Sequence, residues 1–280
     1  MIPFENIAII GSGNVACTYA KVLKNNGVGL KYILIRNQNK IKEIKTKNKC
    51  LILGTECPYS FEEHPETNPL FDVELISDYE KLYLCDLIII AVNDDAIGEV
   101  ASKLPNYKGV LVHTSGTQDS AILQCADNYG VIYPLQTLSK DYPVDFKSVP
   151  VLINASSREV RVKLRCLAEM MSDMVFDCSD EDRRYIHMNA VYVSNFVNVM
   201  LQIGNKLLEE KSFDISILEP LVKETVNKAF RMGAEKALTG PARRGDMETI
   251  NKHLQLLDNN REEREIYQLL TNYILNKYKI

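Results

Sequence analysis

In the first half of the chain, short apolar runs alternate with segments of helical periodicity. NIAIIG (6–11) is a short β-rich run, and a helical pattern follows over 15–25, with Gly27 as its stop. YILIRN (32–37) predicts a second strand. DLIIIAV (86–92) and GVLVHTS (109–115) are continuous apolar runs without alternation, as in strands covered on both faces. GVIYPL (130–135) and VPVLIN (149–154) look similar. Repeated strand-then-helix units predict an α/β fold with a doubly wound, mostly parallel sheet. Residues 50–72 interrupt this rhythm with three prolines and no clear period, and predict a long loop or small hairpin inserted into the sheet. Beyond about residue 178 the strand pattern stops. Residues 185–206, 217–236, 247–257 and 262–277 carry helical spacing, with Asp180 as the expected N-cap of the first and Glu181 and Asp182 at its positive end. The expected division is a sheet domain over 1–178 and an all-helical domain over 179–280.

Composition narrows the functional classes. At 280 residues, 46% hydrophobic and 25% charged, the chain is long enough for two packed domains. A formal net charge of −4 does not suggest a nucleic-acid partner. No apolar stretch approaches the ~18 residues that span a membrane, and the first residues lack a signal-peptide pattern. The seven cysteines form no C-x-x-C pair and the four histidines are far apart in sequence. That pattern predicts reduced thiols in a cytoplasm and no metal site.

The first apolar run ends in G-x-G-x-x-A: Gly11, Gly13 and Ala16. Gly11 allows a tight strand-to-helix turn, Gly13 carries no side chain to block a pyrophosphate, and Ala16 lets the helix pack closely on the strand. Ser12, Asn14 and Val15 complete the turn, whose free N–H groups suit a phosphate. The alternative is an ordinary glycine turn. In the strand–turn–helix context observed here the motif predicts a dinucleotide site in a Rossmann-type sheet. At the end of the second strand, an NAD site would carry a carboxylate for the ribose; this chain has Arg36 and Asn37. A guanidinium binds a 2′-phosphate bidentately, so the expected cofactor is NADP, with Lys40 a turn later as an assistant. Otherwise Arg36 is a surface arginine. Val92 and Asn93 end the strand that begins at Asp86 and are expected along the cofactor. Thr114 and Ser115 end the next strand and are expected beside the nicotinamide. His113 is expected to hydrogen-bond the backbone of its turn rather than react.

Residues 185–205 contain no charged side chain. At 100° per residue, His187, Ser194, Asn195, Asn198 and Gln202 form one polar stripe about 100° wide. This predicts a buried central helix whose stripe meets a cleft, another helix, or both. The alternatives are satisfied core hydrogen bonds or a dimer contact. His187 is the proton donor or acceptor on this face. The loop LTGPARRGD (238–246) offers Arg243 and Arg244 for a substrate carboxylate or the cofactor phosphates, or for pairing with Asp246. Gln136 and Thr137 follow another strand end.

GSGNVA, HTSGT, YPLQTLS, HMNAVYVSNF and TGPARRGD, in that order, closely resemble a family of predicted NADP oxidoreductases. Its members have a Rossmann-like N-terminal domain and a C-terminal helical domain of unknown function. The resemblance spans residues 4 to about 275 apart from 50–72. It implies NADP binding by the first domain and dimerisation through the second, and it supplies no substrate. More distantly, the layout is similar to pyrroline-5-carboxylate reductase, prephenate dehydrogenase and the β-hydroxyacid dehydrogenases. The last group uses a lysine four residues before an asparagine; here Asn195 is present and Val191 stands at the lysine position. Prephenate dehydrogenases carry a His-Pro pair where this chain has Tyr133-Pro134.

The resulting expectation is hydride transfer between NADP(H) and a small polar carbonyl, imine or hydroxy acid. His187, Ser115 and Asn195 are the expected catalytic groups. Gln136, Ser194, Asn198 and Arg243 are the expected substrate contacts. The alternative is a non-catalytic NADP-binding sensor or assembly protein.

Overall fold

The apolar runs become β1 (Ile7–Ile10), β2 (Leu30–Leu34), β4 (Leu87–Ile90), β5 (Val110–His113), β6 (Asn128–Pro134) and β7 (Val151–Ala155). Two short strands that the sequence pattern did not reveal complete the sheet, β3 (Glu74–Ile76) and β8 (Val175–Asp177). The order is β3-β2-β1-β4-β5-β6-β7-β8. Every neighbouring pair is parallel except β6 and β7, so the doubly wound, Rossmann-type reading holds. The computed structural model describes residues 3–53, 73–139, 142 and 144–280. These fall into two compact units, Met1–Val193 and Ser194–Ile280.

In the first unit, α1 (Asn14–Asn25), α2 (Gln38–Leu53), α3 (Ile97–Ser102), α4 (Arg158–Met171) and α5 (Asp180–Ala190) accompany the sheet. The strands read as uniformly apolar because each feeds two cores. Ile7, Ile9, Leu87, Ile89, Val110 and Val112 pack with Tyr19 and Leu23 of α1 and Leu164 and Leu167 of α4. Their alternates Ala8, Ile10, Ile88, Ile90 and Leu111 pack with Ile97 and Val100 of α3. The Tyr19 hydroxyl donates to the Ile132 carbonyl at 2.9 Å, tying α1 to β6. Helix α2 runs on through Leu53, so the start of the expected 50–72 insertion is helical; residues 54–72 lie outside the described residues. Because β2 and β4 flank β1, the chain winds in opposite directions from β1. The crevice for a ligand then opens at the carboxyl ends of these strands.

Helix α5 begins at Asp180, with Ser179 as its cap: the Ser179 hydroxyl accepts the Asp182 N–H at 3.0 Å. Asp180 therefore sits one position inside the helix rather than at the cap. Helical bonding continues through a π turn, Val191–Asn195, into α6 (Phe196–Glu209). The expected 185–206 helix is thus present, with a π turn within it. A π turn holds an extra residue, so 100° per residue does not carry one stripe across it.

The second unit is helical: α6, α7 (Glu219–Met232), α8 (Ala234–Ala237), α9 (Pro241–Arg244), α10 (Met247–Leu256) and α11 (Arg261–Tyr278). The burial expected of the central helix is not met within one chain. Helix α6 has no buried residue, and Val197, Met200 and Leu201 are exposed. Helix α7 likewise buries nothing, and Phe230 is 89% exposed. The apolar periodicity is real, and these faces lie exposed among the described residues.

Candidate nucleotide and active site

The glycine turn is built by the close approach of two strands. Gly11 has φ +130°, and a Cβ there would stand 2.1 Å from the Ala91 carbonyl oxygen at the end of β4. Only glycine fits. Gly13 differs: its backbone is extended, and a Cβ would meet nothing within 4 Å. The turn thus leaves open ground above Gly13. Helix α1 has no side-chain cap and no acidic residue in its first turn. Its first intrahelical bond runs from Cys17 N–H to the Gly13 carbonyl, at 3.0 Å. The N–H groups of Asn14 and Val15 precede that bond, so the positive helix end is bare. This donor set and shape fit the pyrophosphate of a dinucleotide.

At the end of β2, Lys40 donates to the Ser12 carbonyl at 3.4 Å, which puts an ammonium beside the turn. Arg36 is half-exposed and leans on Glu99 at 3.8 Å, a contact weak enough to exchange for a phosphate. Asn37 turns back on its own chain: its side-chain oxygen accepts the N–H groups of Asn39 and Lys40 at 3.0 and 3.2 Å. At the end of β4, Val92 packs on the core and Asn93 is exposed.

The next residue, Asp94, was not singled out from the sequence, yet it organises the turn after β5. One carboxylate oxygen accepts the Ser115 and Thr117 hydroxyls at 2.7 and 2.6 Å. Ser115 Oγ in turn accepts the N–H groups of Thr117 and Gln118, both at 3.0 Å. Its only proton is committed to Asp94, so Ser115 holds the turn in shape. Thr114 is buried, with its N–H on the Ile90 carbonyl at 3.2 Å.

His113 is fully buried, and its Nδ1 accepts the Ser115 N–H at 3.1 Å, the backbone role expected of it. That bond puts the ring proton on Nε2. Burial, reinforced by the Arg183 charge, pushes its pKa down to about 4. Below pH 6.5 the unfolded chain therefore takes up a proton that the folded one refuses until about pH 4. Stability contributed by the neutral ring is full above pH 6.5 and is lost as pH falls toward 4. Urea unfolding should give a protein about 2 kcal/mol less stable at pH 5 than at pH 7. His113→Asn should remove most of that difference.

His187, on α5, lies directly over the same turn. A Cβ on Gly116 would stand 2.6 Å from His187 Nδ1 and 3.0 Å from the Tyr133 ring. His187 Nδ1 and the Tyr133 hydroxyl are 2.9 Å apart, their rings edge-to-face at 5.9 Å. Both side chains are partly exposed. Burial and the nearby Asp94 carboxylate push the Tyr133 phenol up. Sequence reasoning did not single out Tyr133 as a candidate; the signal was its place at a strand end, where only its departure from a His-Pro pair was noted. Gln136 lies just beyond β6, exposed, its side-chain oxygen accepting the Thr137 N–H at 2.8 Å.

Beneath the turn lies a buried ion pair. Arg183, 1% exposed, meets Asp180 at 2.6 Å and donates to the Gln118 carbonyl. The other Asp180 oxygen accepts the Ser120 N–H and hydroxyl at 3.1 and 2.6 Å. Burial alone would push the Asp180 carboxyl up; the Ser120 and Arg183 contacts outweigh it and hold it well below the usual carboxylate range.

The remaining expected residues belong to the helical unit. Ser194 and Asn195 lie in the π turn, and the Asn198 side-chain oxygen accepts from exposed Gln202 at 2.6 Å. Arg243 stacks over the Tyr278 ring at 4.0 Å. Asp246 caps α10, accepting the Thr249 N–H at 3.1 Å. Among the described residues no cluster of His, Cys, Asp and Glu could hold a metal ion, and no helix is long and apolar enough to cross a membrane.

Residues 149–274 match the model of a domain of unknown function, DUF2520. This bears out the resemblance read from the five motifs. The matched segment begins in the sheet at β7, takes in Asp180, Arg183 and His187, and runs through most of the helical unit. The whole chain superposes on an inferred NADP oxidoreductase from Bacteroides fragilis, with 29% identity, full coverage of both chains and a TM-score of 0.82. A pyrroline-5-carboxylate reductase from Streptococcus pyogenes shares the fold at 15% identity and TM-score 0.59, over 98% of each chain. An imine reductase from Streptomyces aurantiacus does so at 10% identity and TM-score 0.67, over 97% of this chain and 93% of its own. No curated protein matches.

Proposed function

We propose that this protein is an oxidoreductase that uses NADP(H) to reduce or oxidise a small polar carbonyl, imine or hydroxy acid. The observation that carries the reading is the glycine turn, where open ground over Gly13 meets the bare N-terminus of α1. The similarity to an inferred NADP oxidoreductase at 29% identity supports it. The turn from Gly11 to Val15 holds the pyrophosphate. Arg36, with Lys40, takes the 2′-phosphate, and Val92, Asn93 and Thr114 lie along the nucleotide. The cofactor, when bound, supplies or accepts the hydride. In the reductive direction, the Tyr133 hydroxyl gives a proton to the substrate heteroatom. The His187 imidazolium returns a proton from Nδ1, 2.9 Å away, to the phenolate and is left neutral. Gln136 provides a group that orients substrate in this reading. The exposed faces of α6 and α7 are covered by a second copy, giving a cytoplasmic homodimer whose scattering mass is twice that of one chain.

Chemistry is tested with NADPH deuterated at C4 and a panel of carbonyls and imines. Stereospecific deuterium in any product is the expected result; no turnover across the panel, with NADPH bound, would favour a nucleotide sensor. Cofactor choice is tested at Arg36. Arg36→Ala should weaken NADPH by about 1.5–3 kcal/mol, roughly ten- to a hundredfold, and leave NADH unchanged.

A further inference from the structure

The 115–118 turn is fixed at two points. Ser115 is tied to Asp94, and the Gln118 carbonyl is tied to Arg183. Gly116 lies between them, under the His187 ring. One helical turn separates Arg183 from His187 on α5, so the residue that grips the turn and the residue that rests on it share a rigid element. Asp180, three residues earlier, grips Ser120 with its second oxygen while it pairs with Arg183. A charged pair withdrawn from water to this degree is poor value as a source of stability, since apolar residues of similar volume do as well or better.

We propose that Asp180 and Arg183 are positioning residues: together they clamp α5 to the 115–120 segment and so seat His187 against Tyr133. The purpose assigned to that seat rests on the oxidoreductase reading above; the clamp itself does not. A merely structural pair would hold the fold and leave the His187 ring where it is in any folded variant. A positioning pair fixes the ring, and its loss frees the ring even when the fold survives.

Removing one partner alone strands the other's charge and tests stability only. The informative variant is therefore Asp180→Leu with Arg183→Met, which removes both charges together. The probe is the pair of ring 15N shifts of His187 at pH 9, assigned with His187→Gln, beside the melting temperature and the NADPH dissociation constant. In the native protein His187 should show one tautomer, set by the hydrogen bond to Tyr133. In the folded double variant the two ring nitrogens should move toward the averaged shifts of a free imidazole, with NADPH affinity within about twofold of native. Native His187 shifts in the folded double variant would overturn the proposal. Should that variant fail to fold, Ser120→Ala carries the test, because it loosens the loop end of the clamp and leaves no unpaired charge. His187 and Tyr133 resonances that move in it support the clamp; resonances at their native positions overturn it. Failure of NADPH to bind the native protein would sink the oxidoreductase reading instead, and leaves the His187 signal to report on the clamp.

Discussion

Replacing Gly11 with alanine should destabilise the sheet unit by roughly 2–6 kcal/mol, from about 1–3 of backbone strain and about 1–3 of overpacking. The added methyl would stand 2.1 Å from the Ala91 carbonyl oxygen and 2.9 Å from its carbon, at φ +130°. Neither strand can withdraw, because β1 and β4 are neighbours at the centre of the sheet with both faces packed. A domain has only about 5–15 kcal/mol in total, so this variant should unfold at much lower urea. Gly13→Ala is the matched control. Its backbone is extended and its Cβ meets nothing, so stability should stay within about 0.5 kcal/mol. Its methyl would occupy the ground assigned to the pyrophosphate, so NADPH should bind at least about tenfold more weakly. Equal destabilisation by the two alanines would contradict the separate roles given to the two glycines.

Tyr133→Phe and His187→Ala should each lower kcat on a substrate from the deuterium screen by about 10²–10⁴, with NADPH affinity within about twofold of native. The phenol and the imidazole sit on one hydrogen bond, so removing either breaks the same proton route. The double variant should therefore be little worse than the worse single one. Gly116→Ala should act indirectly, since its methyl would push on His187 Nδ1 from 2.6 Å. Steady-state kinetics on the four proteins would check this. Multiplying losses would mean that the two side chains act separately.

The sheet was legible because its central strands are buried on both faces, which leaves unbroken apolar runs at β1, β4 and β5. Strands β3 and β8 were not, because each has three residues and ELI and VFD have too little length to show a period. The glycine turn was legible down to its residues. Its steric cause was not, since the clash partner of Gly11 is Ala91, eighty positions away. Asp94 was hidden for a similar reason: its partners Ser115 and Thr117, 21 and 23 positions on, come from the turn after the next strand. Arg183 was not singled out either: it stands in the charged run EDRR, yet is 1% exposed and donates to the Gln118 carbonyl, 65 positions away. The polar stripe of residues 187–202 was read with an unbroken α-helical period. The π turn at Val191–Asn195 breaks that period, and no residue type in VYVSN announces it.

The central claim is that the turn at Gly11–Val15 binds a dinucleotide phosphate and that Arg36 selects its 2′-phosphate. Titration of the protein into NADPH and, separately, NADH, followed by the fluorescence of the nucleotide, tests it most directly, because the chain has no tryptophan to interfere. The account predicts saturable binding of both, with NADPH at least about tenfold tighter, as one charge-assisted contact provides. Binding of neither nucleotide would contradict it and return the glycine turn to architecture.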